Sequence, residues 1–125
     1  MEINADLLTD TAIKKILDYL PYFREGEKFE EKIDENFLTY SEKVNAFIDC
    51  LYDTNFLVVF EWFEWEDGQN ILNDKNLIKK CDLLTLRMLI TMIVRSDRFN
   101  EGTFLECIQN QVITMILERL SEITK

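Results

Sequence analysis

Histidine is absent from this sequence, and that single absence removes a good deal of chemistry. A Ser-His-Asp or Cys-His nucleophile, an imidazole metal ligand and a histidine pH switch are all excluded. Glycine and proline are scarce as well: Gly26, Gly68 and Gly102 are isolated from one another, and Pro21 is the single proline. Neither a phosphate-cradling P-loop nor a dinucleotide-binding fingerprint can be written onto such a chain. Cys50, Cys81 and Cys107 are odd in number and far apart, with no C-x-x-C pair, so neither a zinc knuckle nor a disulfide framework is expected. Each lies among apolar neighbours and reads as a buried reduced thiol, because free cysteine packs as a small hydrophobe. No run of about 18 apolar residues occurs, and the first residues lack a basic stretch followed by an apolar one. The expectation is therefore a cytoplasmic protein with no membrane partner.

What remains is enough for a packed core. Of 125 residues, 47% are hydrophobic and 12% aromatic, which suits one domain over 1–125. The 14 bases and 24 acids leave a net charge of -10, unevenly spread. Residues 1–50 hold 12 acids and 6 bases; residues 81–125 hold 6 and 5, and include four of the five arginines. Direct binding to nucleic acid is disfavoured, since a phosphate backbone meets a repulsive field.

Helical periodicity dominates. Thr9, Asp10 and Thr11 are good N-caps for a first helix carrying Ile13, Ile16, Leu17 and Leu20, which Pro21 ends. Residues 24–39 form a charged linker or loop: from Arg24 to Asn36 nine of thirteen residues are charged, with Phe29 and Ile33 alone to bury. This segment reads as a loop or short exposed helix and as the most mobile part of the chain. Ser41 caps a second helix with Val44, Phe47, Ile48, Leu51 and Tyr52 on one stripe. In residues 56–65 eight of ten are apolar or aromatic, and periodicity leaves open a short β-hairpin, an extended segment or a tight helical turn. Asp67-Gly68 offers a turn, and Asn73 or Asp74 caps a short helix to Lys80. Asp82 caps a helix apolar on most sides, which belongs at the centre of the domain. Asn100 caps another helix over 101–109, and a last one runs from about Gln111 to Ile123. The fold class is all-α, an irregular bundle of five to six helices.

The polar positions of the central helix fall on one edge: Arg87, Thr91 and Arg95 at i, i+4 and i+8, with Arg98 just beyond its expected end. Three guanidinium groups near one helix end suit a carboxylate or phosphate, which they bind in a bidentate manner. The plainer reading is internal: the helix dipole favours cations there, and Asp97, Glu101 or Glu106 neutralise them. Glu101 is a candidate general acid or base, or the orienting partner of Arg98, although no second group with a contrasting pKa is nominated. The Glu61, Glu64, Glu66, Asp67 cluster lacks calcium-loop spacing and reads as a solvated face, so no metal and no cofactor are expected. Trp62, Phe63 and Trp65 are either core anchors or a platform for a partner, and the exposure of Trp65 discriminates between the two.

Several stretches resemble a bacterial family catalogued as domain of unknown function 6508. They are LPYF at 20–23, Tyr40-Ser41 leading to Val44, Phe47 and Ile48, the W-x-x-W of Trp62 and Trp65, the run CDLLTLRMLITMIVRSDRFNEG at 81–102 and ITMILERL at 113–120. The R-x-x-R-F-x-E-G element of Arg95, Arg98, Phe99, Glu101 and Gly102 is the most specific. The family usually has a small residue and glycine where this chain has Asn110 and Gln111, and asparagine tolerates the left-handed break. It also has proline where this chain has Thr39. The resemblance implies a fold and a region of interest around 95–102, and no activity.

Three functions compete. The first is a small acidic, non-enzymatic binding module that docks a protein partner through Trp62, Trp65, Arg87, Arg95, Arg98 and Glu101, with homodimerisation left open. The second is a phage or mobile-element counter-defence inhibitor whose acidic surface blocks a basic nucleic-acid-binding groove. The third is a binder or hydrolase of an anionic, phosphorylated small molecule using Arg95, Arg98 and Glu101.

Overall fold

The computed structural model describes residues 2–26, 28–34 and 37–125. Among them are seven α-helices and one two-stranded sheet, a mainly α fold. Helix α1 (Asp10–Leu17) starts where the Thr9 hydroxyl accepts the Ala12 N–H. Pro21 does not simply end it. After a turn at Asp18 and Tyr19, Pro21 occupies the first turn of a separate helix α2 (Leu20–Glu25), where a missing N–H costs nothing.

The charged segment expected as a loop is an antiparallel hairpin. Strand β1 (Glu30–Asp34) pairs with β2 (Phe37–Tyr40), and Thr39 lies opposite Glu31. Charge density hid it, because alternation is legible only when one strand face is apolar. Phe29 anchors its base, stacked 6.2 Å from Phe23 and edge-on to Tyr22; the side chain of Ile33 lies outside the described set.

Helix α3 (Glu42–Asp53) is capped by Ser41 as expected, its hydroxyl accepting the Val44 N–H. It ends in paired 6→1 and 5→2 bonds, Phe56 N to Leu51 O and Asn55 N to Tyr52 O, with Asn55 left-handed at φ 58°. No hairpin forms over 56–65. Residues 56–61 form no regular helix or strand beyond one bridge of Val59 to Asn4, and Trp62–Glu64 make one 3-10 turn. The expected turn at Asp67-Gly68 lies inside helix α4 (Glu66–Asn73). Gly68 is there for packing: a Cβ would sit 2.4 Å from the Trp65 ring. A 3-10 helix over Lys75–Lys80 leads to α5 (Leu83–Phe99), capped by Asp82, whose carboxylate takes the Thr85 N–H at 2.8 Å.

Helix α5 is the buried centre, packed against α4, α6 (Thr103–Gln109) and α7 (Val112–Ile123). Leu86, Leu89, Ile90, Phe104, Ile113, Ile116 and Leu117 are fully enclosed. The break before α7 survives without glycine, though Gln111 and not Asn110 takes the left-handed conformation, at φ 74°. Asn110 stays at φ -89° and accepts the Val112 N–H through Oδ1. A side chain there costs about 1 kcal/mol, partly offset by the greater freedom of glycine in the unfolded chain. Gln111→Gly is expected to stabilise the fold by about 0.5 kcal/mol, read as a higher urea midpoint; a lower midpoint would mean that the glutamine side chain holds something.

The three cysteines are free. Burial pushes all three thiols up, and Cys107, with Glu106 and Asp97 adding their charges, reaches about 12. At pH 8 a maleimide is expected to modify half-buried Cys50 first and native Cys107 at least about a hundredfold more slowly. Equal rates before and after denaturation would contradict this packing.

Candidate functional site

The arginine edge divides when placed in three dimensions. Arg87 is only 5% exposed and points at the end of α3. Its Nε donates to Phe56 O at 2.9 Å and its Nη2 to Asn55 O at 2.8 Å, with the guanidinium 5.9 Å from the Phe56 ring. Burial pulls its pKa down from the ordinary arginine value, with the Asp6 charge acting in the opposite sense. One turn on, the Thr91 hydroxyl accepts Val58 N and donates to Arg87 O. Arg87 and Thr91 are thus a clamp that fixes the irregular segment 55–58 to α5, not part of an open anion site. Arg119 is also internal in function, its Nε donating to Cys81 O at 2.9 Å.

Arg95 and Arg98 are different. Both guanidinium groups lie over one ring, that of Tyr52 at the end of α3, 5.5 and 5.8 Å from its centroid. Arg98 Nη2 also donates to the Tyr52 hydroxyl at 2.8 Å. Among the described residues neither has a carboxylate within 4.0 Å. Of the three carboxylates expected to neutralise them, Asp97 and Glu101 are engaged elsewhere and Glu106 lies on α6 without an ion pair among the described residues. Asp97 Oδ1 accepts the Tyr40 hydroxyl at 2.7 Å and the Phe104 N–H at 2.9 Å, so it caps α6, whose own N-cap position is Gly102. Glu101 Oε1 accepts Leu38 N at 2.8 Å and ties the hairpin to the α5–α6 corner; it does not orient Arg98. Tyr40 completes this corner by accepting Leu105 N, and burial with the Asp97 bond holds its hydroxyl well above the usual phenol range.

The aromatic segment divides as well. Trp65 is 8% exposed, edge-on to Phe60 and laid over Gly68, so it is core. Trp62 is half-buried and forms the middle of an open aromatic surface: edge-on to Phe63 at 5.7 Å and tilted 31° against Phe99 at 6.0 Å. Phe63 and Phe99 are 69% and 82% exposed. Because Phe99 directly follows Arg98 on α5, the aromatic surface and the two guanidinium groups share one end of the molecule. Glu61, Glu64, Glu66 and Asp67 are all exposed, and Glu61 raises the pKa of Glu64 through their shared hydrogen bond. No three Cys, Asp or Glu side chains converge as metal ligands among the described residues.

A family model, the family of unknown function DUF6508, matches residues 8–125. The chain belongs to this family. No curated protein and no solved structure matches the chain. The most specific element of the resemblance, Arg95 to Gly102, maps onto this corner and is put to two uses: Asp97 within it, Glu101 and Gly102 build the α5–α6 turn, while Arg98 and Phe99 are exposed and Arg95 is half-buried beside them. Tyr52 and Phe99 were not singled out as site residues by sequence reasoning. Tyr52 sits on the apolar stripe of α3 and reads as core; Phe99 had a signal, an aromatic directly after an arginine at the end of a helix whose buried run stops at Val94.

No helix among the described residues is long and apolar enough to cross a membrane.

Proposed function

We propose that this chain is a small acidic binding module that docks a protein partner through Trp62, Phe63, Phe99 and the Arg95–Tyr52–Arg98 cluster. The observation that carries the reading is the coincidence of two highly exposed phenylalanines with two arginines that have no carboxylate partner among the described residues, in a chain of net charge -10. Large exposed apolar groups mark interaction surfaces, and aromatic and arginine side chains supply most of the binding energy at them. Charge complementarity commits the partner's chemistry: an apolar side chain that covers Phe99 and Phe63, next to an Asp or Glu carboxylate that meets Arg98 and Arg95.

The reading is tested by selecting peptides from a random displayed library on the immobilised chain, with Phe99→Asp as a counter-screen. An enriched pattern of an aliphatic or aromatic residue beside Asp or Glu, lost on the variant, is the expected result. A basic consensus insensitive to Phe99→Asp would overturn it in favour of an acidic surface that occupies a basic groove, and no enrichment would also count against it.

A further inference from the structure

A second concavity lies where α4, the C-terminal half of α5 and α6 meet, lined by none of the aromatic docking residues. Its volume is about 300 Å³, at the small end of ligand sites. The floor is apolar, formed by Leu72, Met92 and Ile93. The polar lining residues are Gln69, Asn73, Asn100, Glu106 and Asn110, all exposed, with Ser96 half-buried.

Most of this hydrogen-bonding capacity is unspent. The side chains of Asn73, Ser96, Asn100 and Glu106 make no hydrogen bond to another described residue. Gln69 has only a long contact from Nε2 to Met92 Sδ at 3.8 Å, and Asn110 uses Oδ1 for Val112 N and keeps both Nδ2 hydrogens. Glu106 is the one charged side chain in the lining, and Lys75 stands at its edge with Nζ donating to Asn110 O at 2.9 Å, which leaves the Glu106 carboxylate itself without a partner among the described residues. Burial raises the pKa of the neighbouring Cys107 thiol, and the Glu106 and Asp97 charges add to it.

We propose that this concavity binds a small organic cation rich in N–H donors and carrying a short hydrocarbon stem, a guanidinium or a primary ammonium. A guanidinium meets the Glu106 carboxylate with two parallel N–H···O bonds and has further donors for the carboxamide oxygens. Its stem lies along Leu72, Met92 and Ile93 and leaves water. Anions are repelled, and a neutral sugar satisfies the carboxamides while leaving the carboxylate without a counter-charge.

The test is a titration of the ¹⁵N-labelled full chain with agmatine, and in parallel with butylamine, glucose and sodium chloride. Saturable shifts of the Gln69, Asn73, Asn100 and Asn110 side-chain NH₂ signals with agmatine are expected, absent with glucose and not reproduced by salt. Glu106→Gln is expected to weaken agmatine binding about tenfold. The fold should be unchanged, since the Glu106 side chain makes no hydrogen bond to another described residue and its backbone bonds are kept by glutamine. Butylamine binding as well as agmatine would assign the ammonium form of the same class. Shifts spread over the whole acidic surface, affinity unaltered by Glu106→Gln, or preference for glucose would overturn the proposal.

Discussion

Arg87→Met is expected to lower folding stability by about 3 kcal/mol, seen as a shift of roughly 10 °C in Tm. The guanidinium makes two charge-assisted bonds to consecutive carbonyls, Asn55 O and Phe56 O, at the point where α3 has just ended in a left-handed residue. Methionine fills the space and keeps the stem's apolar contacts, but it leaves both acceptors without a donor in a region from which water is largely excluded. Arg87→Lys retains the charge but not the fork, since one ammonium cannot reproduce the planar geometry that reaches both oxygens. It is expected to cost about 2 kcal/mol. Thr91→Val removes the acceptor for Val58 N and is expected to cost about 1 to 2 kcal/mol. Urea denaturation of these variants checks the set. If Arg87→Met fell within 0.5 kcal/mol of the parent, a size typical of surface substitutions, segment 55–58 would be held by something other than this clamp.

Phe99→Asp is expected to do the opposite: leave stability within about 0.5 kcal/mol and reduce the affinity for a docked partner by about thirtyfold or more. With 82% of its surface open, Phe99 contributes little to the free fold beyond its contact with Trp62. Its worth appears only when a partner covers it. Trp65→Ala, by contrast, is expected to lose about 3 kcal/mol or more of stability because that ring is enclosed between Phe60 and Gly68. Paired thermal melts and binding isotherms for the two variants separate a surface aromatic from a core one. A large loss of stability in Phe99→Asp would place that ring in the core and remove it from the docking surface.

Helices α1, α3 and α5 announce themselves in the sequence because their caps are side chains: Thr9, Ser41 and Asp82 each accept the N–H that capping requires. The central position of α5 is equally legible, since an apolar run with few polar interruptions has nowhere else to go. The hairpin is not. The pairing of β1 with β2 is tied to contacts far along the chain, the Glu101 carboxylate on Leu38 N and the Tyr40 hydroxyl on Asp97, which no local pattern records. The same limit applies to the arginines. Spacing correctly put Arg87, Thr91 and Arg95 on one edge of the helix, but which part of that edge is covered depends on where segment 55–58 passes. The two tryptophans, three residues apart, were equivalent candidates until the 3-10 turn at Trp62–Glu64 sent one ring outward and the other under α4.

The docking surface is tested most directly by a charge swap measured calorimetrically. A peptide carrying an apolar residue beside Asp or Glu, taken from the display selection, is titrated into the parent chain and into Arg98→Glu. Its binding is expected to weaken about tenfold or more in the variant, and a peptide with the carboxylate replaced by lysine is expected to regain affinity for Arg98→Glu while losing it for the parent. Equal affinity of parent and variant for both peptides would show that Arg98 meets no partner charge and that this end of the molecule is not where the chain docks.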